Sequence, residues 1–222
     1  SSCIFSGPSL KGNGNVKEET RNTGDFTEVK VSRGMNVYIS QGERIKVVVK
    51  ADENLLDAIE TEVVGNALNV TVTRFIRHST SLKVLITVPN IELIKTTSGS
   101  NVFSEDTLRF QTLNVKSTAG SNVKLTLETG DLNVSAAAGS NIFLNGTAKS
   151  LNVKASSGSN IKAGDLQAEN CIVKASSGAN IWINVQKSLK AGVSSGGNLW
   201  YSGEPGQLDI QKSSGGNVFK ND

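Results

Sequence analysis

The tripeptide Gly-x-Asn, followed each time by an aliphatic residue, begins at Gly99, Gly120, Gly139, Gly158, Gly178, Gly196 and Gly215, at intervals of 18–21 residues. A period this short admits few architectures. It is too short for a strand, a helix and a second strand with their loops. It suffices for one coil of a solenoid in which every strand pairs with its counterpart in the next coil. Seven residues before the last six of these glycines stand Leu113, Leu132, Leu151, Cys171, Leu189 and Leu208. Two residues further on come Val115, Val134, Val153, Val173, Ala191 and Ile210. That two-residue step is strand alternation, so both columns are predicted to point inward. The residues between them, Asn114, Asn133, Asn152, Ile172, Lys190 and Asp209, are predicted to point outward. The fold class that follows is all-β, a right-handed parallel β-helix with coils of about nineteen residues.

The repeated motif has a job in this geometry. A tight bend between two strands of one coil needs positive φ, which Gly adopts freely and Asn tolerates better than most residues. Small residues ahead of the bend, such as Ala136, Ala137, Ala138, Ser156 and Ser157, suit a narrow corner. Stacking like on like also aligns Asn101, Asn122, Asn141, Asn160, Asn180, Asn198 and Asn217 into a structural column whose amides can bond along the axis.

Ahead of residue 95 the period weakens, although strand-like runs continue at 26–31, 36–39, 45–49, 68–72 and 82–88, and Gly34-Met35-Asn36-Val37 echoes the motif. A short helical turn is predicted at 54–59, where Leu55, Leu56 and Ile59 share a face. Residues 25–222 thus read as one β-helix domain, with irregular coils and a cap over 25–95 and regular coils over 96–222. Residues 1–24 read as a lipoprotein-type N-terminus and polar tether, with Cys3 of Ser1-Ser2-Cys3 as the lipidation position. The last coil is expected to leave an open edge, which favours self-association.

Composition argues against several activities. The net charge is +3 and the lysines are scattered singly without a basic block, so nucleic acid is not expected as a partner. No apolar run reaches transmembrane length, so membrane contact is expected only through a lipid on Cys3. Two cysteines do not make a disulfide scaffold, and Cys171 replaces Leu in an inward column. Polysaccharide lyases and hydrolases on β-helices need clustered carboxylates, yet Asp131, Asp165 and Glu169 lie apart in variable turns and Asp209 is the one acid in the outward column above. His78 sits in a polar turn without metal-ligating neighbours in sequence. No enzyme activity, cofactor or metal is therefore expected.

The candidate binding surface is the position two residues beyond each Asn: Phe103, Lys124, Phe143, Lys162, Trp182, Trp200 and Phe219. If alternation resumes after the bend, these residues form one outward stripe, with Tyr201 placed beside Trp200. Three roles remain open for it: a foreign ligand such as a glycan or surface protein, a homo-oligomer contact, or packing under a turn.

The motifs at Gly34 and at the seven later glycines, the short coil and the Ser1-Ser2-Cys3 start together resemble the putative auto-transporter adhesin, head GIN domain family of Bacteroides-like bacteria, over roughly residues 25–220. The resemblance implies a pectin-lyase-like β-helix without catalytic residues, serving as a non-enzymatic cell-envelope adhesion module. It also implies an outer-membrane lipoprotein whose anchor is the lipid on Cys3. The rival functions are a structural homo-oligomeric envelope protein and a carbohydrate-active β-helix enzyme.

Overall fold

A computed structural model describes residues 8–221. Cys3 lies outside them. The regular part is a parallel β-helix whose strands run Asn101–Ser117, Asn122–Ala136, Asn141–Ala155, Asn160–Ala175 and Asn180–Val193, followed by Asn198–Ser202, Gln207–Lys212 and Asn217–Lys220. Every neighbouring pair is parallel, and the register sets Asn101 against Asn122, Asn122 against Asn141, and so on to Asn217. The predicted inward columns are buried: Leu113, Leu132, Leu151, Cys171 and Leu189 are at most 2% exposed, and the Val115 column likewise faces the core through Ala191. Like residues on like build this core without a helix, because each strand buries one face against the opposite wall of the same tube.

Leu208 departs from its column, being 53% exposed, and the strand Gln207–Lys212 that carries it is exposed along most of its length. It belongs to the last coil, which no further coil covers among the described residues, so inward direction does not amount to burial there.

The bends also differ from expectation. Positive φ occurs at each motif Gly and at the residue before it, as at Ser98 (57°) with Gly99 (69°) and Ala138 (51°) with Gly139 (70°), and not at Asn. Two consecutive left-handed residues are the signature of a type I′ turn. The N–H of Ser100 accordingly bonds to the carbonyl of Thr97 at 3.3 Å. A left-handed Ser or Ala costs about 1–2 kcal/mol. Each such residue is held there by its own carbonyl, which accepts the N–H of the Gly one coil earlier: Gly99 donates to Ala119 at 3.1 Å, Gly120 to Ala138 at 3.0 Å and Gly139 to Ser157 at 3.1 Å. Asn is thereby released to start the next strand in extended backbone.

The echo at Gly34 is a genuine coil. Arg33 and Gly34 take positive φ, Asn36–Gln41 pairs in parallel with the start of Asn101–Ser117, and Glu28–Val31 pairs with Leu93–Thr96. Beyond this coil one more parallel layer follows, Leu82–Val88 on Asn36–Gln41 and Ala67–Val72 on Glu28–Val31, and only then does the pairing turn antiparallel: Lys46–Asp52 lies between Leu82–Val88 and Val16–Arg21, and Ile59–Val64 pairs with Ala67–Val72. The 3-10 helix Glu53–Ala58 buries Leu55 and Leu56 close to where the helical turn was predicted.

Residues 16–21 correct the reading of this stretch as tether. Val16–Arg21 is an edge strand, and its exposed Lys, Glu and Thr side chains carry no strand alternation, so only the backbone demand of the adjacent edge explains its position. Exposed ion pairs Lys50–Glu18 (2.7 Å) and Lys17–Glu53 flank it. Asp52 pins the entry to this strand. Its buried carboxylate accepts the backbone N–H of Gly14 at 2.6 Å, Thr80 at 2.7 Å and Ser81 at 3.2 Å. Burial pushes this carboxyl up, but the Ser81, Gly14 and Thr80 donors outweigh it and hold it below the usual carboxylate range.

Candidate functional site: the aromatic and lysine column

The site starts from a ladder of side-chain amides. Asn101 Nδ2 donates to Asn36 Oδ1 at 2.8 Å, Asn122 to Asn101 at 2.8 Å, Asn141 to Asn122 at 3.0 Å and Asn160 to Asn141 at 2.9 Å. Asn180, Asn198 and Asn217 continue it at 2.9, 3.0 and 3.0 Å. The first rung, Asn36, was missed as a member, although the Gly34 echo carried the signal. Each amide from Asn101 to Asn198 donates to one neighbour and accepts from the other along the axis, which makes the column a structural rail two residues from the outward stripe.

On that rail the outward column runs in unbroken register through Tyr38, Phe103, Lys124, Phe143, Lys162, Trp182, Trp200 and Phe219. Trp182 and Trp200 stack with ring centroids 4.7 Å apart and planes 7° from parallel, and Phe219 continues the stack at 5.4 Å. Lys162 Nζ lies 5.3 Å from the Phe143 centroid and 5.7 Å from that of Trp182, bridging the two rings by cation–π contacts. At the other end Tyr38 stacks on Phe103 at 5.1 Å, and Lys83 Nζ is 5.1 Å from the Tyr38 centroid. Tyr38 was not anticipated, because several periods of chain separate it from Phe103, and Lys83 was not, because no Gly-x-Asn motif precedes its strand Leu82–Val88. The predicted members Phe103, Lys124, Phe143, Lys162, Trp182, Trp200 and Phe219 are all brought together.

Tyr201 is not part of this surface. It is 8% exposed and packs with the core, since adjacent strand residues face opposite sides and Trp200 takes the outer one. The ring geometry also changes what the stripe can do. Trp200 has a ring on each face, so it offers solvent its edge, and a sugar cannot lie flat upon it. Phe143 and Phe219, at 38% and 44% exposed, are the most open rings of the column.

Among the described residues no group of three or more His, Cys, Asp or Glu side chains is placed to hold a metal. Burial pushes the Cys171 thiol up to about 12, so it is no nucleophile near neutral pH. No described helix is long and apolar enough to cross a membrane.

The sequence pattern of the family described as "Putative auto-transporter adhesin, head GIN domain" matches residues 25–205. The chain belongs to this family. Three solved structures share the head GIN domain's architecture. A "putative adhesin" from Bacteroides fragilis superposes with a TM-score of 0.87 at 22% identity, covering 96% of this chain and 100% of the other. One from Parabacteroides distasonis gives 0.78 at 21%, covering 96% and 100%. A "putative lipid binding protein" from Parabacteroides distasonis gives 0.76 at 19%, covering 97% and 100%. At these identities the likeness establishes the fold alone. No curated protein matches the chain. Family membership supports a cell-surface, adhesion-like role.

Proposed function

We propose that this head GIN domain is a non-enzymatic adhesion module of the cell envelope that docks a partner through its aromatic and lysine column. The observation that supports this reading is the column itself: eight outward positions in continuous register, five of them occupied by partly or fully exposed Phe or Trp, on a rigid tube. An extended row of ring edges and cations is an interaction surface, whereas solvated strand faces are ordinarily polar. Because the rings cover one another's faces, a protein partner, whose side chains can wedge between ring edges, fits this column better than a stacked sugar. Anchorage through a lipid on Cys3 belongs to the same proposal and rests on the Ser1-Ser2-Cys3 sequence. The name of the lipid-binding neighbour offers an alternative occupant. A concavity of ≈ 770 Å³ is instead an open trough bordered by Arg109, Glu128, Lys149, Glu169 and Lys187, whose charges make it an unsuitable seat for an acyl chain.

The test is binding of the purified chain to arrayed extracellular-matrix proteins and glycans, beside a Trp182→Ala/Trp200→Ala variant verified as folded. Retention of a protein ligand by the native chain and its loss in the variant supports docking. Binding by neither, with the variant changing the sedimentation coefficient instead, would make the column a contact between copies and end the adhesion reading.

A further inference from the structure

The fold sorts charge in a way that the linear sequence hides. Each motif bend is flanked by one outward residue before it and one after it, defining nine-residue corner segments at 30–38, 95–103, 116–124, 135–143, 154–162, 174–182, 192–200 and 211–219. These eight segments contain nine of the 23 Lys and Arg residues and none of the 20 Asp and Glu residues. The acids of the regular coils lie instead on the far stretch of each coil, where Glu105, Asp106, Glu128, Asp131, Asp165 and Glu169 sit within the long strands and not in the turns expected for Asp131, Asp165 and Glu169. Along one side of the corner, register stacks Lys30 on Lys95 and Lys95 on Lys116, then, past Ser135, Lys154 on Lys174.

Lysines on adjacent rungs sit about 4.8 Å apart at the backbone and repel one another. Lys30 is relieved by Glu28 at 3.0 Å. Among the described residues no carboxylate forms an ion pair with Lys95, Lys116, Lys154 or Lys174, which are all exposed. They are not on a bulging surface. Lys116, Lys154 and Lys174, with Asn114, Asn133 and Asn152, line a concavity of ≈ 300 Å³, and a second of ≈ 490 Å³ continues past Lys174 along the serines of the next bends.

We infer that this face is a binding site for a linear acidic polysaccharide laid along the helix axis. Lys95, Lys116, Lys154 and Lys174 would meet its anionic groups, and the Asn and Ser side chains beside them its hydroxyls. A trough with a lysine column along the axis and the Asn114, Asn133 and Asn152 column two residues beside it offers an extended acidic chain cationic groups on one edge and amide partners for its hydroxyls on the other. A flat bilayer surface would not reach its floor. The inference goes beyond the aromatic column and stands on charge and shape alone, so either can fail without the other.

The experiment titrates the purified chain with polygalacturonate and with sulfated dextran, using the methyl ester of polygalacturonate as the uncharged counterpart. Anionic phospholipid vesicles and duplex DNA are run in parallel. Binding is expected for a charged glycan and absent for the ester, weakening with added salt. Lys95→Gln/Lys116→Gln and Lys154→Gln/Lys174→Gln should each weaken it about tenfold. Lys149→Gln/Lys187→Gln, in the other trough, and Trp182→Ala/Trp200→Ala should leave it unchanged. Which of the two charged polymers binds identifies carboxylate or sulfate as the anion. The site is disproved if neither binds, if the lysine pairs on the corner make no difference, or if vesicles or DNA bind through these lysines in preference to both glycans.

Discussion

The regular coils from Asn101 onward and the segment before it reach the same tubular cross-section by opposite means. In the coils, stability is repetition: Asn bonds to Asn, the bend glycines donate to the next coil's bend, and Ile142, Ile161 and Ile181 follow one another in the core. Before residue 100 the repeat is confined to the coil at Gly34 and the strand Leu93–Thr96. Antiparallel strands close the tube and single contacts do the positioning, Asp52 on three backbone donors being the clearest. A solenoid spreads its stabilisation over nearest neighbours and must spend unique residues where the stack begins. The two regions should therefore fail differently.

The largest effect is expected at Gly146, whose φ of +113° and neighbour Leu127 O, 2.0 Å from where a Cβ would stand, bend a regular coil sharply. Gly146→Ala should lower unfolding free energy by roughly 3 kcal/mol or more in urea titrations. A loss under about 1 kcal/mol would show that the coils yield more readily than repetition suggests.

Next comes Asp52→Asn, expected to cost about 1.5–3 kcal/mol through its charge-assisted bonds, with hydrogen exchange rising across Val16–Arg21 and little in Asn141–Ala175. The sign with pH follows from a carboxyl held below its ordinary value. Its stabilisation is complete above the unfolded-state pKa of about 3.9 and is lost as pH falls through the lower folded-state value. Acid should thus loosen the N-terminal cap of the native chain, and the Asn variant should lack that component. Equal acid sensitivity in both would remove Asp52 from the account.

Asn160→Ala breaks two rungs, to Asn141 and from Asn180, and should cost about 1–2 kcal/mol. Asn217→Ala breaks one inter-coil amide rung and should cost about half of that. Equal costs would mean that the ladder does not act rung by rung. The smallest effect is expected for Arg109→Ala. Its pair with Glu128 joins side chains that are 63% and 50% exposed, so thermal unfolding should shift by little or nothing.

The regular coils were legible because their signal is redundant. Leu113 and its successors announce an inward column, Asn101 and its successors a stacked one, and the stripe through Trp182 and Trp200 follows by counting two. Where the signal is not redundant, it misled. Tyr201 was grouped with Trp200 by adjacency, although strand alternation assigns neighbours to opposite faces. Residues 16–21 looked like tether because an edge strand is recruited by a neighbour's unpaired backbone and needs no apolar pattern of its own. Leu208 had the inward position, but among the described residues no coil covers it.

Sequence alone determined the period, the alternation within it and hence the parallel β-helix, since only a short coil can place such residues on one axis. The tertiary structure decided what that stacking makes of them. It converted lysines twenty or more residues apart into one cationic row, placed Tyr38 beside Phe103, and turned aromatic residues into a stack that shows edges instead of faces. The physical reason is the rise of about 4.8 Å between coils. That spacing is near the contact distance of stacked rings and within the range of unscreened charges, so residues remote in the chain become neighbours whose interactions the linear order does not display.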